Sequence, residues 1–178
     1  MNEEKGGGKT PDITIRSADI RDAAVLAEIH VLSWHATYPG IVPDEVLEDF
    51  TPDHRRPVFE KALIEGIGDY TLIFDGDVAA GFLSLGKSWD EDTDETCGEI
   101  WSIYLRPDCR GRGLGARLMR WGLDELKKRG YLMATLWVLE ENIPARDFYE
   151  KMGFKPDGAV KDIRIGKILK ECRYRIGL

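Results

Sequence analysis

A glycine-rich turn between a strand-like segment and a helix-like segment constrains this chain more than any other feature. Residues 110–115 read RGRGLG, and after them the small or apolar positions 114, 118, 122 and 126 recur every four residues. That spacing predicts a helix that runs to about residue 129. A helix N-terminus offers unpaired N–H groups and partial positive charge, and glycine lets an anion come close. The turn therefore predicts an α/β fold with an anion site that suits a pyrophosphate.

Two other glycine-rich phosphate sites fit the sequence poorly. A dinucleotide-binding turn needs GxGxxG after an early strand, whereas the spacing from Gly111 is GxGxG, late in the chain. A P-loop needs Lys and then Ser or Thr after its last glycine, but Ala116 and Arg117 follow here. The segment 8–10 reads GKT, yet Glu3 stands where a P-loop needs its first glycine. Taken alone, residues 110–115 also fit a tight turn with solvated arginines.

The charge distribution supports a dedicated anion site. The 178 residues carry 25 basic and 32 acidic side chains, a net charge of −7, yet residues 105–130 hold eight basic against three acidic residues. An acidic chain with one basic segment argues against general nucleic-acid or anionic-lipid binding. The length and the 43% hydrophobic content fit one globular domain.

Periodicity and turn residues predict one α/β domain over residues 12–178, preceded by a disordered lead-in at residues 1–11. The predicted strands cover 12–16, 70–74, 78–87, 99–105, 131–139, 154–160 and 167–176. The predicted helices cover 20–36, 43–49, 55–65, about 114–129 and 142–152. Three cysteines without a CxxC pair indicate reduced thiols and a cytoplasmic protein.

Two segments in the right order closely resemble the GNAT superfamily of N-acetyltransferases. Residues 99–115, EIWSIYLRPDCRGRGLG, resemble its acetyl-CoA motif, which Arg110, Gly113 and Gly115 match. Residues 142–154, NIPARDFYEKMGF, resemble its second motif. The resemblance implies a mixed, mostly antiparallel sheet of about six or seven strands, flanked by helices. This sheet would splay between the strands at 99–105 and 131–139.

The same resemblance implies where acetyl-CoA, as co-substrate, would bind. The pyrophosphate would contact the amides of residues 111–116, with arginines nearby, and the pantetheine arm would lie along residues 103–105. Helix residues after the later strand would complete the site. The implied cofactor residues are Ile103, Tyr104, Leu105, Arg110, Gly111, Arg112, Gly113, Leu114, Gly115, Ala116, Asn142 and Ala145.

The resemblance, checked against residue chemistry, implies two catalytic roles. An amine must be neutral when it attacks a thioester, and Glu99, directly or through water, can take its proton. The Tyr149 hydroxyl can protonate the leaving thiolate, and no covalent enzyme intermediate is needed. Tyr149 also fits core packing. Glu99, expected on one strand face with Trp101, Ile103 and Leu105, also fits an edge charge or an ion pair.

The acceptor side of the site has weaker signals. Residues 33–40 resemble a stretch of GNAT members that act on polyamines and other small amines. Trp34 and Tyr38 within it are one helical turn apart and are candidate acceptor-binding residues, although core packing explains such a pair equally simply. The carboxylates of residues 90–95 fit either attraction of a cationic amine or a solvated charge run.

The leading hypothesis is an acetyl-CoA-dependent N-acetyltransferase that acts on a primary amine by direct attack. The acceptor would be a small-molecule amine such as a polyamine, or a protein N-terminal amine. The alternative is a non-catalytic acyl-CoA-binding or sensor module of the same fold. The three histidines form no convincing ligand set, so no metal is expected, nor is a membrane or nucleic-acid partner. The protein would be a monomer or a homodimer.

Overall fold

Seven strands and five α-helices make up the described part of the chain. The computed structural model describes residues 12–178, so the lead-in at 1–11 and its GKT segment lie outside the described residues. The strands are β1 (Ile13–Ser17), β2 (Asp69–Asp75), β3 (Val78–Lys87), β4 (Cys97–Leu105), β5 (Met133–Leu139), β6 (Lys155–Ile165) and β7 (Lys167–Gly177). The helices are α1 (Ala23–Thr37), α2 (Asp44–Asp49), α3 (Pro52–Glu65), α4 (Leu114–Lys128) and α5 (Ile143–Lys151).

One sheet contains all seven strands, in the order β1-β2-β3-β4-β5-β7-β6. Every neighbouring pair is antiparallel except β4 and β5, which are parallel. β4 and β5 pair only where residues 97–99 face residues 133–135, and they separate beyond that point. The predicted mixed sheet and its splay are therefore confirmed.

Helices cover both faces of the sheet. On one face α4 buries Leu118, Met119 and Leu126, which confirms the four-residue spacing seen in the sequence. A Cβ at Gly122 would lie 2.9 Å from Leu83 Cδ1, so the glycine lets α4 approach the sheet closely. On the other face α1 and α3 pack against β2 and β3 around Phe82.

The predicted ranges of β6 and α3 were too short. β6 continues to Ile165 rather than ending at 160, because residues 160–165 pair with β7 along the sheet edge. Charged residues interrupt its apolar pattern, as is common for an edge strand. α3 begins at Pro52 rather than at 55, because Thr51 Oγ1 accepts a hydrogen bond from His54 N (3.4 Å) and caps the helix.

Candidate active site

The turn before α4 presents a row of backbone N–H groups. Gly111 and Gly113 have φ angles of +75° and +78°, in the left-handed region that favours glycine. α4 makes its first backbone bond from Arg117 N to Gly113 O (3.1 Å), and within residues 12–178 the amides of 111–116 have no hydrogen-bond acceptor. The helix dipole adds partial positive charge at the same place. The predicted cofactor residues from Gly111 to Ala116 thus fit the pyrophosphate of acetyl-CoA.

Two arginines of this turn are bonded to neighbouring elements. Arg110 donates hydrogen bonds to Ser33 Oγ (3.0 Å) and Thr37 Oγ1 (2.9 Å) in α1. Arg112 forms an ion pair with the buried Asp75 carboxylate at the end of β2. These contacts fix the turn against the rest of the fold, so the free amides are the groups available to a phosphate. Direct contact of either arginine with the cofactor stays a prediction.

The separation of β4 from β5 opens a cavity of about 380 Å³. Residues 103–105 pair with β3 on one side, while the described strands give their other edge no partner. An exposed strand edge can bond an extended chain that carries amide groups, as the pantetheine arm does. The cavity is lined by many of the predicted site residues: Trp34, Tyr38, Ile103, Tyr104, Leu105, Arg110, Gly115, Asn142, Ala145 and Tyr149.

The cavity is lined from both faces of the sheet. On the side of α4 and α5, here called the cofactor face, Leu105 lies against Gly115 at the start of α4. On the side of α1, here called the acceptor face, Tyr104 packs against the residues of α1 and accepts a hydrogen bond from Trp34 Nε1 (3.2 Å). A donor and an acceptor substrate can therefore reach the opening from opposite sides.

Tyr149 reaches the cavity from α5. Its ring packs near Phe154 and Tyr174, with centroids 6.2 and 6.4 Å away. Burial raises the pKa of its hydroxyl, which therefore keeps its proton at neutral pH. Within residues 12–178 no protein atom accepts a hydrogen bond from that hydroxyl, so the proton is available to a bound group. Asn142 fixes the start of α5, because its Oδ1 accepts a bond from Ala145 N (3.3 Å).

The aromatic pair of α1 both packs and lines the cavity. The Trp34 ring stacks on Phe50, with centroids 4.1 Å apart and planes at 9°, and Tyr38 meets it edge-on at 4.9 Å. Burial raises the pKa of Tyr38, so this hydroxyl is neutral too. The two interpretations of the pair, core packing and acceptor wall, are compatible in this structure.

Glu99 lies at the last residue pair before β4 and β5 separate. Its side chain is buried, its carboxylate accepts a hydrogen bond from Trp89 N (3.4 Å), and burial raises its pKa. Residues lining the cavity begin one position later, at Ile100, so Glu99 lies next to the lining rather than in it.

The prediction that Glu99 shares a strand face with Trp101, Ile103 and Leu105 was correct for Trp101 and wrong for the other two. A register shift in the β3–β4 pairing leaves Trp101 without a partner, because Ser84 pairs with Ser102 and Leu85 with Ile100. This bulge breaks the alternation of side chains along β4. Glu99 and Trp101 consequently share the acceptor face, and the next apolar side chains, Ile103 and Leu105, turn to the cofactor face.

Sequence reasoning missed three residues on the acceptor face. Glu171 of β7 and Trp137 of β5 line the cavity. Lys161 of β6 is paired with Glu171 across the strands, with its Nζ 3.6 Å from the Glu171 carboxylate. The only sequence signal for Lys161 and Glu171 was a charged residue within a strand segment. Charged residues are also common in exposed edge strands, so this signal was weak.

Two carboxylates of the acidic loop at 88–96 form ion pairs with one arginine. Arg173 of β7 donates hydrogen bonds to Asp90 (3.0 Å), Asp92 (2.6 Å) and Asp157 (2.8 Å). Asp90 also accepts bonds from Trp137 Nε1 at 3.0 and 3.2 Å. The loop is therefore tied to the acceptor face and holds the Trp137 ring in place.

The histidines contribute to packing in this structure. His30 lies among the aromatic rings between α1 and the sheet, and burial lowers its pKa to about 3, so it is neutral. His35 Nε2 lies 3.0 Å from Phe50 O, and His54 Nδ1 lies 2.8 Å from Asp49 O. Within residues 12–178 no three His, Cys, Asp or Glu side chains cluster as metal ligands would.

Comparisons with known proteins agree with this geometry. Residues 28–154 match the Acetyltransferase (GNAT) family. An uncharacterised N-acetyltransferase of Bacillus subtilis is 28% identical over 84% of this chain and 83% of its own length. A spermidine N(1)-acetyltransferase of Thermoplasma acidophilum is 27% identical over 91% of this chain and 98% of its own. The crystal structure of PaiA N-acetyltransferase from that organism, in complex with coenzyme A, superposes with a TM-score of 0.73. It is 23% identical and covers 94% of this chain and 99% of that one.

The chain belongs to the GNAT family of acetyltransferases. It is an acyltransferase of that family, and membership carries acetyl-CoA as the acetyl donor. The relatives named above are N-acetyltransferases, which acetylate amines. No helix within residues 12–178 is long and apolar enough to cross a membrane.

Proposed function

We propose that residues 12–178 form one catalytic domain that moves the acetyl group of acetyl-CoA to a primary amine. The acceptor is a small-molecule amine or a peptide N-terminus. One observation carries the proposal: a cavity crosses the sheet, with free helix amides leading to it on one face and an aromatic wall with a carboxylate on the other. The related spermidine N(1)-acetyltransferase supports an amine acceptor of small size.

Two side chains move protons in this proposal. Acetyl-CoA supplies an activated acetyl thioester, and the amine attacks it in its neutral form. Glu99 takes the amine proton through a water, since burial makes this carboxylate more basic than an exposed one. Tyr149 donates a proton to the departing sulfur, since its hydroxyl is neutral and the residue lines the cavity.

Transfer occurs directly from the donor to the amine. Cys97 and Cys109 are buried, burial raises the pKa of both thiols, and neither they nor the half-buried Cys172 line the cavity. No cysteine is therefore placed to carry the acetyl group between the substrates. The three free cysteines also support our proposal that the protein works in the reducing cytoplasm.

Thiol release from acetyl-CoA across an amine panel tests the proposal. The panel holds spermidine, n-hexylamine, 2-phenylethylamine and a tripeptide with a free N-terminus. We expect thiol release with at least one amine, in equal amount to acetylated amine found by mass spectrometry. Tight coenzyme A binding without thiol release for any amine would show a binding module instead.

A further inference from the structure

The acceptor side of the cavity contains one carboxylate. Among the described residues that line the cavity, only Arg110 and Glu171 are charged. Arg110 is bonded to the hydroxyls of α1 near the pyrophosphate turn. Glu171 lies on the acceptor face of β7, directly across from Leu139 of β5, with a side chain only 19% exposed. A buried carboxylate in a substrate cavity needs a cationic partner.

The present partner of Glu171 is an alkylammonium from the chain itself. Lys161 Nζ lies 3.6 Å from the Glu171 carboxylate and 3.9 Å from the centroid of the Trp137 ring. Its charge also acts on Glu99, the proposed base, and lowers the pKa that burial raises there. A primary ammonium thus lies over an aromatic face and beside a carboxylate, which is how proteins bind such cations.

The two sides of this cation site differ in mobility. The Trp137 ring is fixed, because its indole N–H donates to Asp90 and because Arg173 lies over it, 5.5 Å from its centroid. The Lys161 side chain is 45% exposed and sits on the edge strand, so it can swing into solvent. The site would remain in place after the lysine leaves it.

We propose that Glu171 and Trp137 form the ammonium-binding site for the acceptor, and that Lys161 is a tethered occupant which the acceptor displaces. This rests on the proposed function, because it names the acceptor class of the same cavity. Ile163, Ile165 and Leu139 line the space beside the carboxylate. The acceptor is therefore a primary amine attached to an apolar group. A polyamine would have a carboxylate at this site for only one of its positive charges.

Substitutions of opposite sign test the site. Glu171→Gln should raise the KM for n-hexylamine about 10- to 100-fold, since it removes a charge-assisted contact. Lys161→Met keeps the aliphatic stem without its charge and should lower that KM about 3- to 10-fold, since a half-exposed ion pair no longer competes. A gain of affinity cannot come from misfolding. The matched controls are Lys170→Met and Asp162→Asn, which alter an exposed pair 4.0 Å apart on the same hairpin. Both controls should leave the KM for n-hexylamine unchanged.

Calorimetry on the coenzyme A complex separates this proposal from the proposed function. n-Hexylamine should bind the wild type and bind Lys161→Met more tightly, while hexan-1-ol should bind weakly and be insensitive to Glu171→Gln. Amine binding of this kind without thiol release would remove the proposed function and keep the site. Thiol release with an unchanged KM in both Glu171→Gln and Lys161→Met would keep the function and overturn the site. The site would also be overturned if neither the wild type nor Lys161→Met bound n-hexylamine, or if Lys161→Met bound it more weakly than the wild type.

Discussion

The two faces of the cavity are built in different ways. On the cofactor face, the functional groups come from short continuous segments. Residues 111–116 supply a row of free amides, and α5 supplies Tyr149. On the acceptor face, the groups come from strands far apart in sequence, with Trp137 in β5, Lys161 in β6 and Glu171 in β7. A local backbone arrangement is suited to a ligand that every family member shares. A face assembled from separate strands can change by single substitutions.

The difference also concerns charge. The cofactor face attracts an anion with main-chain dipoles, which need no titratable side chain. The acceptor face depends on Glu99 and Glu171, carboxylates whose pKa values burial raises. Protonation therefore acts on acceptor binding and proton transfer, and it leaves the cofactor turn largely unaffected.

Tyr149→Phe should give the largest effect. Loss of the proton donor at the leaving sulfur should lower kcat about 1000-fold, while the Kd for coenzyme A stays within a factor of about two, since no other contact of the amides changes. Single-turnover thiol release and calorimetry measure the two quantities. Tyr131→Phe, which lies outside the cavity lining, is the control. Normal turnover in Tyr149→Phe would remove this residue from the mechanism.

Glu99→Gln should lower kcat about 100-fold at neutral pH, as expected when a base acting through water is lost. A base works only when deprotonated, and the raised pKa of Glu99 moves its proton loss above the range of an exposed carboxyl. The wild-type rate should therefore rise with pH along an acidic limb that Glu99→Gln lacks. Asp90 and Lys161 are the charged neighbours that can shift this limb.

The matching variant on the other carboxylate makes this test selective. Glu171→Gln should keep the acidic limb in kcat and change mainly KM. A limb that survives in Glu99→Gln and vanishes in Glu171→Gln would make Glu171 the base. The two carboxylates would then have exchanged the roles proposed here.

The contrast between the faces also explains what could be predicted from the sequence. The turn and α4 follow from residues 110–115 and from the four-residue spacing after them, whereas the β4–β5 splay was implied by the resemblance to the family. The faces of β4 could not be predicted, because the bulge at Trp101 depends on its pairing with β3. Glu171 and Lys161 could not be joined either. Their contact requires the β6–β7 register, and the predicted strand ended at residue 160, before Lys161.

Gly113→Ala should weaken coenzyme A binding about tenfold, since a Cβ at φ +78° costs about 1–2 kcal/mol and tilts the amides of the turn. The kcat at saturating acetyl-CoA should change little. Gly130→Ala is a matched control at the other end of α4, with φ +91° and open space for its Cβ. Gly130→Ala should lower the Tm about as much as Gly113→Ala does, but it should leave the Kd for coenzyme A unchanged. Equal Kd values in both variants would contradict the role of the amide row.

Tyr104→Phe should give the smallest effect and test the division between the faces most directly. The backbone of Tyr104 lies on the open strand edge proposed for the pantetheine arm, but its hydroxyl accepts the Trp34 hydrogen bond on the acceptor face. Loss of one neutral hydrogen bond of about 1 kcal/mol should raise the acceptor KM about 2- to 5-fold through a looser Trp34. The Kd for coenzyme A should stay constant. Tyr70→Phe, on the same face but outside the cavity lining, should leave both constants unchanged. A shift in the Kd with a constant KM would mean that the Tyr104 side chain belongs to the cofactor face, because only the backbone is shared between the two sites.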